Sequence, residues 1–188
     1  MADAHSAMTE GPAGLVDRPD VFDPTQEVML LGALEKLDFR EVTMRGQTAR
    51  RTVRLYGFDY DYESGELRPG DPLPEELEWL RDCCAPLAAV DSSELVQALV
   101  SRYPAGAGIG WHRDAPMFGS KVIGTSLRSS CRMRFQRRTA KRRQVYALEL
   151  EPRSGYVLAG SARRAWQHSI PPTRELRYSI TFRSLRRR

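Results

Sequence analysis

The sequence predicts an α+β fold that is mainly β: a double-stranded β-helix, or jelly roll, with supporting helices on its N-terminal side. Downstream of Val96 the chain breaks into short apolar strands separated by Gly, Pro and Ser, which is typical of an antiparallel double sheet. Upstream lie two helical patterns with recognisable start signals. With 188 residues the chain is long enough for a substantial core, and we expect one domain over residues 18–188.

The N-terminal part is predicted to contain a disordered segment and one helix. Residues 1–17 carry little structural signal, and we expect them to be disordered. The helix is predicted to begin at Pro24, with Asp23 as N-cap and Gln26 in capping-box register. A mostly apolar stripe is predicted to carry it through Leu37. The stripe comprises Val28, Leu31, Leu34, Glu35 and Leu37. We expect this helix to support the core.

A second helix is predicted from Pro74 to about Cys84, because Pro86 stops it. Between the helices, residues 54–62 alternate aromatic side chains with others. In an extended chain the alternating rings would share one face. These rings belong to Tyr56, Phe58, Tyr60 and Tyr62. A packed strand would explain the pattern without any function.

Seven strands are predicted in the C-terminal half. They cover residues 99–103, 121–127, 131–136, 145–150, 155–159, 165–169 and 176–182. The last one alternates cleanly: Tyr178, Ile180 and Phe182 share an apolar face, and the opposite face carries polar groups. The polar groups are Arg177, Ser179, Thr181 and Arg183. Such a face fits an anion-binding cavity in a barrel, or two arginines that snorkel on a solvated surface.

His112 and Asp114 are one residue apart, so an extended segment would point both side chains the same way. The chain has three histidines, and His5 falls in the segment expected to be disordered. Any imidazole chemistry therefore rests on His112 and His168. Two imidazoles and one carboxylate on one side of iron(II) leave positions open for oxygen chemistry. The alternative is an ordinary loop histidine and a semi-buried one.

Four ordered motifs resemble those of the AlkB-type dioxygenases, which depend on iron(II), 2-oxoglutarate and O2. They are ALVSRY (98–103), GIGWHRD (108–114), WQHSIP (166–171) and RYSITFR (177–183), within a resemblance that covers about residues 50–183. The resemblance implies a jelly-roll core over 96–183. It also implies a substrate lid and a supporting helix over 50–95.

The same resemblance implies an activity and roles for individual residues. The activity is oxidative demethylation of N-alkylated bases in DNA or RNA, a direct-reversal repair that releases formaldehyde, succinate and CO2. The iron ligands would be His112, Asp114 and His168. Arg177 and Tyr103 would bind the far carboxylate of 2-oxoglutarate, a task that suits a planar guanidinium.

Further roles follow less directly from the resemblance. Arg183 would lie near the metal-side carboxylate or the substrate. Ser101 and Ser179 stand where the family often has asparagine, so they would offer the co-substrate hydrogen bonds of shorter reach. Pro116 stands where several members carry an acid that reads the damaged base, which leaves the preferred base open. In the lid, Tyr60, Tyr62 and Phe58 would face the substrate, since aromatic rings stack on extruded bases.

Charge is divided sharply along the chain. Residues 1–100 hold 9 Lys/Arg and 20 Asp/Glu, whereas residues 101–188 hold 20 and 4. The basic residues cluster in one stretch and at the C-terminal end. They are Arg132, Arg134, Arg137, Arg138, Lys141, Arg142 and Arg143, and then Arg186, Arg187 and Arg188. Such clustering indicates a phosphate-backbone binder, although a charge run can also serve solubility alone.

Composition narrows the remaining classes. No apolar run approaches the length of a membrane span, and the start lacks the apolar core of a signal peptide. Cys83, Cys84 and Cys131 are an odd number without metal-ligand spacing, so we expect a reducing, cytoplasmic home. We expect a monomer with no membrane partner. Two other functions stay open: an oxygenase for a protein or small molecule, and a nucleic-acid-binding module with a vestigial metal site.

Overall fold

The computed structural model describes residues 11–44, 46–61, 64–140 and 142–186, and their side chains except that of Met44. The strands are β1 (Leu15–Arg18), β2 (Arg40–Met44), β3 (Gln47–Tyr56), β4 (Phe58–Tyr60), β5 (Leu67–Pro69), β6 (Gln97–Tyr103), β7 (Ile109–His112), β8 (Phe118–Leu127), β9 (Cys131–Arg138), β10 (Arg143–Leu150), β11 (Gly155–Leu158), β12 (Gln167–Ile170) and β13 (Arg177–Leu185). The helices are α1 (Pro24–Leu34), α2 (Glu75–Cys84) and α3 (Gly160–Arg164).

Two antiparallel sheets form the core. The larger has seven strands in the order β1-β11-β8-β13-β6-β3-β2, and the smaller has four in the order β10-β9-β12-β7. Strands β4 and β5 form a separate two-stranded sheet. Strands make up 46% of the described residues and helices, 3-10 helices included, make up 19%, so the predicted mainly β fold class is confirmed.

The two faces of the larger sheet are buried in different ways. Its outer face packs under α1 and α2, in an apolar cluster that includes Leu30, Leu80, Ile180 and Phe182. A second cluster, which includes Phe135 and Trp166, packs between the sheets. The larger sheet therefore has an apolar side toward the helices and leaves its other side to face the interior of the roll, where a site can form.

The first helix begins as predicted and ends early. Asp23 and Gln26 form a reciprocal capping box, with both hydrogen bonds at 2.8 Å. The helix ends at Leu34, and Val28 is 70% exposed, so the predicted stripe through Leu37 is wrong in part. A charged residue takes the buried side instead. Glu27 is buried because its carboxylate accepts hydrogen bonds from the Arg128 backbone and the Arg153 guanidinium.

The N-terminal expectation also needs a correction. Residues 1–10 lie outside the described part of the chain, but Leu15–Arg18 forms a strand paired with β11, with Leu15 opposite Leu158. The expectation of disorder to residue 17 is therefore wrong for this strand. Its backbone is ordered because it extends the edge of the larger sheet.

The second helix and the predicted strands are present, apart from differences at their ends. Helix α2 has Pro74 as its N-cap and ends at Cys84, and all seven predicted strands are found. The five-residue α3, the strands β2 and β7, most of β3 and the β4–β5 pair were not predicted. All three cysteines are free. Within the described ranges, no helix is both long enough and apolar enough to cross a membrane.

The aromatic alternation of residues 54–62 does not form one continuous face. Gly57 separates β3 from β4 with φ of +77°, and a Cβ there would lie 1.9 Å from the carbonyl oxygen of Val96. The turn leaves Tyr56 in the core beneath the helices. Phe58 and Tyr60 belong to the separate two-stranded sheet, and Tyr62 lies outside the described residues.

Candidate active site

Two neighbouring strands of the smaller sheet bring the histidines together. His168 on β12 lies directly opposite His112 at the end of β7, and the ring centroids are 4.2 Å apart. The Nδ1 atom of His112 lies 2.9 Å from the Gly110 carbonyl oxygen. Because a carbonyl only accepts, Nδ1 carries the proton in this contact and Nε2 keeps its lone pair for a metal.

Asp114 joins the histidines from the loop that follows β7. Its Oδ2 lies 3.9 Å from His168 Nε2, and its Oδ1 lies 3.9 Å from Arg183 Nη1. Oδ2 is buried and has no hydrogen-bond partner among the described residues. A buried carboxylate oxygen without a partner is costly, and a cation would satisfy it.

The electrostatics hold these groups in the protonation states that a metal needs. Burial lowers the pKa of His168 to about 4, against the opposing pull of Asp114, so the ring is neutral near pH 7. Burial would raise the pKa of Asp114, but attraction to His168, which is protonated at low pH, and to Arg183, His112 and Arg163 holds that pKa below its usual value. The carboxylate is therefore ionised near pH 7.

The donor set fits iron(II), although no closed metal site is formed. Among the described residues, no group of three or more His, Cys, Asp or Glu side chains is arranged to hold a metal ion. His112, Asp114 and His168 nevertheless line one cavity together. Two imidazoles and one carboxylate are the donors that non-haem iron(II) sites use, with the remaining positions open. The residues predicted from sequence thus converge.

The cavity lies between the sheets and has a volume of about 750 Å³. The polar face of β13 forms part of its wall through Ser179, Thr181 and Arg183. Arg183 is 3% exposed, and its guanidinium carbon lies 3.9 Å from the Phe118 ring centroid. Its Nε and Nη2 have no hydrogen-bond partner within the described chain. The alternation predicted for this strand is confirmed, and a solvated arginine face is excluded.

Arg177 lies deeper than predicted. It is fully buried, and its Nε donates to Ser126 Oγ at 3.0 Å. Nη1 and Nη2 make no hydrogen bond to any described residue by geometry, although the guanidinium lies near enough to the Cys131 thiol to oppose the burial that raises the pKa of that thiol. Arg177 does not line the cavity itself. Its guanidinium carbon lies 5.2 Å from the ring centroid of Tyr103, which does line it. Two unpaired donors on a buried guanidinium fit a carboxylate, which takes bidentate hydrogen bonds.

The two predicted serines face each other across the sheet. Ser101 on β6 pairs with Ser179 on β13, next to the pair formed by Tyr103 and Arg177. Both serines are 5% exposed and line the cavity. Their hydroxyl groups therefore lie in the stretch of wall between the two arginines of β13.

Two further cavity residues were missed by the sequence analysis. Tyr156 on β11 is buried, and its ring lies over Gly124, where a Cβ would come within 2.2 Å of the ring. Burial raises the pKa of Tyr156, and the Thr181 side chain beside the hydroxyl opposes that rise. Arg51 on β3 is 5% exposed and lines the cavity. Neither position stands out in its sequence pattern.

The predicted substrate-side residues separate. Tyr60 lines the cavity and packs edge-on against Phe118, with ring centroids 5.8 Å apart. Phe58 begins the same strand but is not among the lining residues, and its backbone carbonyl accepts a hydrogen bond from the Gln97 side chain. Tyr62 lies outside the described residues.

The basic stretch forms the β9–β10 hairpin, and its arginines divide into two groups. Arg134 donates to Ser169 and stacks over Trp111 at 5.1 Å, while Arg137 donates to Gln144 and stacks over Trp166 at 5.2 Å. Both side chains therefore make hydrogen bonds and ring contacts within the fold. Arg134 is itself exposed, as are the other arginines described: Arg132, Arg138, Arg142 and Arg143, and at the end of the chain Arg186. Lys141, Arg187 and Arg188 lie outside the described residues.

Comparison with protein families gives one match over most of the chain. The family described as the 2OG-Fe(II) oxygenase superfamily matches residues 19–183. A Xenopus tropicalis protein named tRNA (carboxymethyluridine(34)-5-O)-methyltransferase alkbh8 is 28% identical over 168 residues, which cover 86% of this chain and 26% of the relative. An Arabidopsis thaliana protein named Alkylated DNA repair protein ALKBH8 homolog is 28% identical over 182 residues, which cover 84% and 51%.

The chain thus spans about a quarter of the length of the Xenopus relative and about half of the Arabidopsis one. A solved structure of OsALKBH1 superposes with a TM-score of 0.69 at 18% identity, over 93% of this chain and 98% of that one. A Pseudomonas putida prolyl-4-hydroxylase superposes with a TM-score of 0.65 at 12% identity, over 92% and 93%. These two structures show the same fold.

Proposed function

The chain belongs to the 2OG-Fe(II) oxygenase superfamily, and on that premise we propose that it oxidatively demethylates N-alkylated bases in DNA or RNA. The predicted enzyme class, a dioxygenase of the AlkB type, is confirmed. The observation that carries the proposal is a single cavity. It joins His112, His168 and Asp114 to a wall with unpaired arginine nitrogens.

The proposed roles follow from the geometry. His112 and His168 would each present a neutral nitrogen to iron(II), and Asp114 would supply the negative charge. The unpaired nitrogens of Arg177 would bind the far carboxylate of 2-oxoglutarate, with Tyr103 beside it. Ser101 and Ser179 would donate hydrogen bonds along the co-substrate.

Arg183 would bind the carboxylate of 2-oxoglutarate that lies on the metal side. Its Nη1 lies 3.9 Å from Oδ1 of Asp114, a proposed ligand, and this short distance supports a role near the metal. When bound, iron(II), 2-oxoglutarate and O2 supply oxidising power: the co-substrate becomes succinate and CO2, and one oxygen atom enters a methyl C–H bond. The resulting cationic N-hydroxymethyl base loses formaldehyde and a proton, and the ring nitrogen regains its lone pair. The protein contributes position, charge and exclusion of water.

Three features support a nucleic-acid substrate. The names of two relatives refer to tRNA modification and to repair of alkylated DNA. Exposed arginines of the β9–β10 hairpin offer contacts for phosphates. Tyr60 places an aromatic ring on the cavity wall, where a base extruded from its stack could lie against it. A methylated base that has lost its Watson–Crick pairing costs less to extrude than an intact one.

Formaldehyde release tests the proposal. The purified protein is given iron(II), ascorbate and 2-oxoglutarate with single-stranded DNA, RNA or tRNA that carries 1-methyladenine or 3-methylcytosine. We expect formaldehyde and succinate in equal amounts, dependent on every component. His168→Ala and Asp114→Ala should abolish both products, since each removes a proposed ligand.

The outcome separates the alternatives. Turnover retained by the ligand variants would refute the metal assignment. Consumption of 2-oxoglutarate without formaldehyde from any nucleic acid would favour an oxygenase for a protein or small molecule. Salt-sensitive binding of nucleic acid that ignores iron and 2-oxoglutarate would favour a binding module with a vestigial site.

A further inference from the structure

Asp114 is the one proposed iron ligand that the β-ladder does not hold. His112 and His168 are fixed opposite each other by the pairing of β7 with β12. Asp114 follows β7 and precedes β8, in a connection without regular secondary structure. Its carboxylate could therefore move relative to the imidazoles unless a side chain held the loop.

Arg163 makes the contacts that hold this loop. It lies in α3, the short helix just before the strand of His168, and is 7% exposed. Its Nη1 donates to the backbone carbonyl of Asp114 at 2.9 Å, and its Nη2 donates to that of Ala115 at 2.8 Å. One guanidinium thus grips two successive carbonyls of the ligand loop, in the two-pronged geometry that only arginine offers.

These contacts join the two segments that carry the proposed ligands. α3 ends four residues before His168, so its position is tied to that histidine through the short connection into β12. The opposite end of the contact is the backbone of Asp114 itself. A shift of α3 and a shift of the carboxylate are therefore coupled through two partly buried hydrogen bonds, whose charged donor makes each stronger than a neutral bond.

We propose that Arg163 is a positioning residue for the metal: it holds the Asp114 loop so that the carboxylate meets the two imidazoles. The inference rests on the metal site of the proposed function and adds a residue to it. Arg163 would not touch the metal or the substrate. Partners of this kind typically change metal affinity 10–100-fold when they are removed.

The test measures binding of Mn²⁺, an oxygen-stable substitute for iron(II), by calorimetry, together with urea unfolding of the metal-free protein. Arg163→Gln should weaken Mn²⁺ binding about 10–100-fold. Arg164→Gln is the matched control, because Arg164 is the exposed neighbour in the same helix, and its Mn²⁺ affinity should equal that of the parent. Arg163→Lys keeps the charge but loses the fork, so its affinity should fall by a smaller factor.

A double-mutant cycle distinguishes positioning from general damage. Asp114→Ala should weaken Mn²⁺ binding, and adding Arg163→Gln to it should change the affinity no further, because the group that Arg163 positions is gone. If Arg163→Gln does not fold, the same cycle is run with Arg163→Lys.

Three results would overturn the inference in different ways. Parent-like Mn²⁺ affinity in a folded Arg163 variant, with Asp114→Ala impaired, would reject the positioning role and leave the metal site standing. Parent-like affinity in Asp114→Ala would reject both the ligand and the residue proposed to position it. If Arg163→Gln lowered the Mn²⁺ affinity by the same factor with and without the Asp114 carboxylate, Arg163 would support the fold and would not position the carboxylate.

Discussion

Replacement of Arg177 by methionine should make the protein more stable than the parent without ligand and less stable than the parent when 2-oxoglutarate is present. The buried guanidinium carries two nitrogens without a partner in the described chain, and each such donor costs roughly 1–3 kcal/mol. Methionine removes both unpaired donors, which should stabilise the fold. It also removes the hydrogen bond to Ser126, and that loss should destabilise the fold by about 1–3 kcal/mol. We therefore expect Arg177→Met to gain about 2 kcal/mol in the free energy of unfolding without ligand.

The co-substrate should reverse this order. With Mn²⁺ present and 2-oxoglutarate at a thousand times its Kd, the parent gains about 4 kcal/mol by linkage. Arg177→Met has lost the anchor, so it should gain almost nothing. The assay is urea unfolding with and without 2-oxoglutarate, and Arg174→Met serves as the control because Arg174 is exposed.

Two results would refute the reasoning about Arg177. If 2-oxoglutarate stabilised Arg177→Met as much as the parent, the guanidinium would not be the anchor. If the variant were less stable than the parent without ligand, the unpaired nitrogens would not be a net cost. In that case the stacking of Arg177 on Tyr103 would outweigh the missing hydrogen bonds.

Three other perturbations test the remaining features. The pKa of His168 is about 4 in the fold and 6.5 ordinarily, so the unfolded chain binds more protons between these two values. Lowering the pH from 7 to 4 should therefore remove about 3 kcal/mol from the free energy of unfolding of the parent. The His168→Gln variant should not lose this amount. Gly124→Ala should lower thermal stability by about 1–3 kcal/mol, since its Cβ would strike the Tyr156 ring. Arg142→Gln with Arg143→Gln should reduce the salt dependence of single-strand binding by about 1.4 in log–log slope, as measured by anisotropy.

Each of these has its own check. A parent-like pH slope in metal-free His168→Gln would place the titrating group elsewhere. The Gly124→Ala penalty should shrink in a Tyr156→Leu background, and an unchanged penalty would rule out the ring contact as its cause. For the hairpin, Arg18→Gln removes an exposed arginine from β1 and should leave the salt slope as it was. If the salt dependence of binding were the same after Arg142→Gln with Arg143→Gln, the phosphates would bind elsewhere.

Local patterns predicted the parts of the site that one strand or one turn determines. The alternation of β13 separated its arginines from its apolar face, and the Asp23 capping box started α1 where expected. The pairing of Ser101 with Ser179 depends on register between strands far apart in sequence, which no local pattern encodes. The resemblance of motifs assigned both serines to the co-substrate, but neither it nor the periodicity predicted that they pair.

The failures have equally local causes. The aromatic alternation broke at Gly57 because a left-handed residue turns the chain, and an alternating pattern does not reveal such a turn. Tyr156 was missed because β11 is buried on both faces, so its pattern does not distinguish the cavity side. Arg163 lies in a helix of five residues, too short to show a period.

The charges of the cavity wall connect these observations. Among the described residues that line it, Asp114 is the one carboxylate, while Arg51, Arg113 and Arg183 are cations. A divalent metal at Asp114 would add to that positive field, and a dianionic co-substrate would offset it. Each ligand should therefore favour the other, since the metal attracts the anion and the anion relieves the field that opposes the metal. This gives a physical reason for arginines without partners beside the metal: their charge favours an anionic co-substrate over a neutral one.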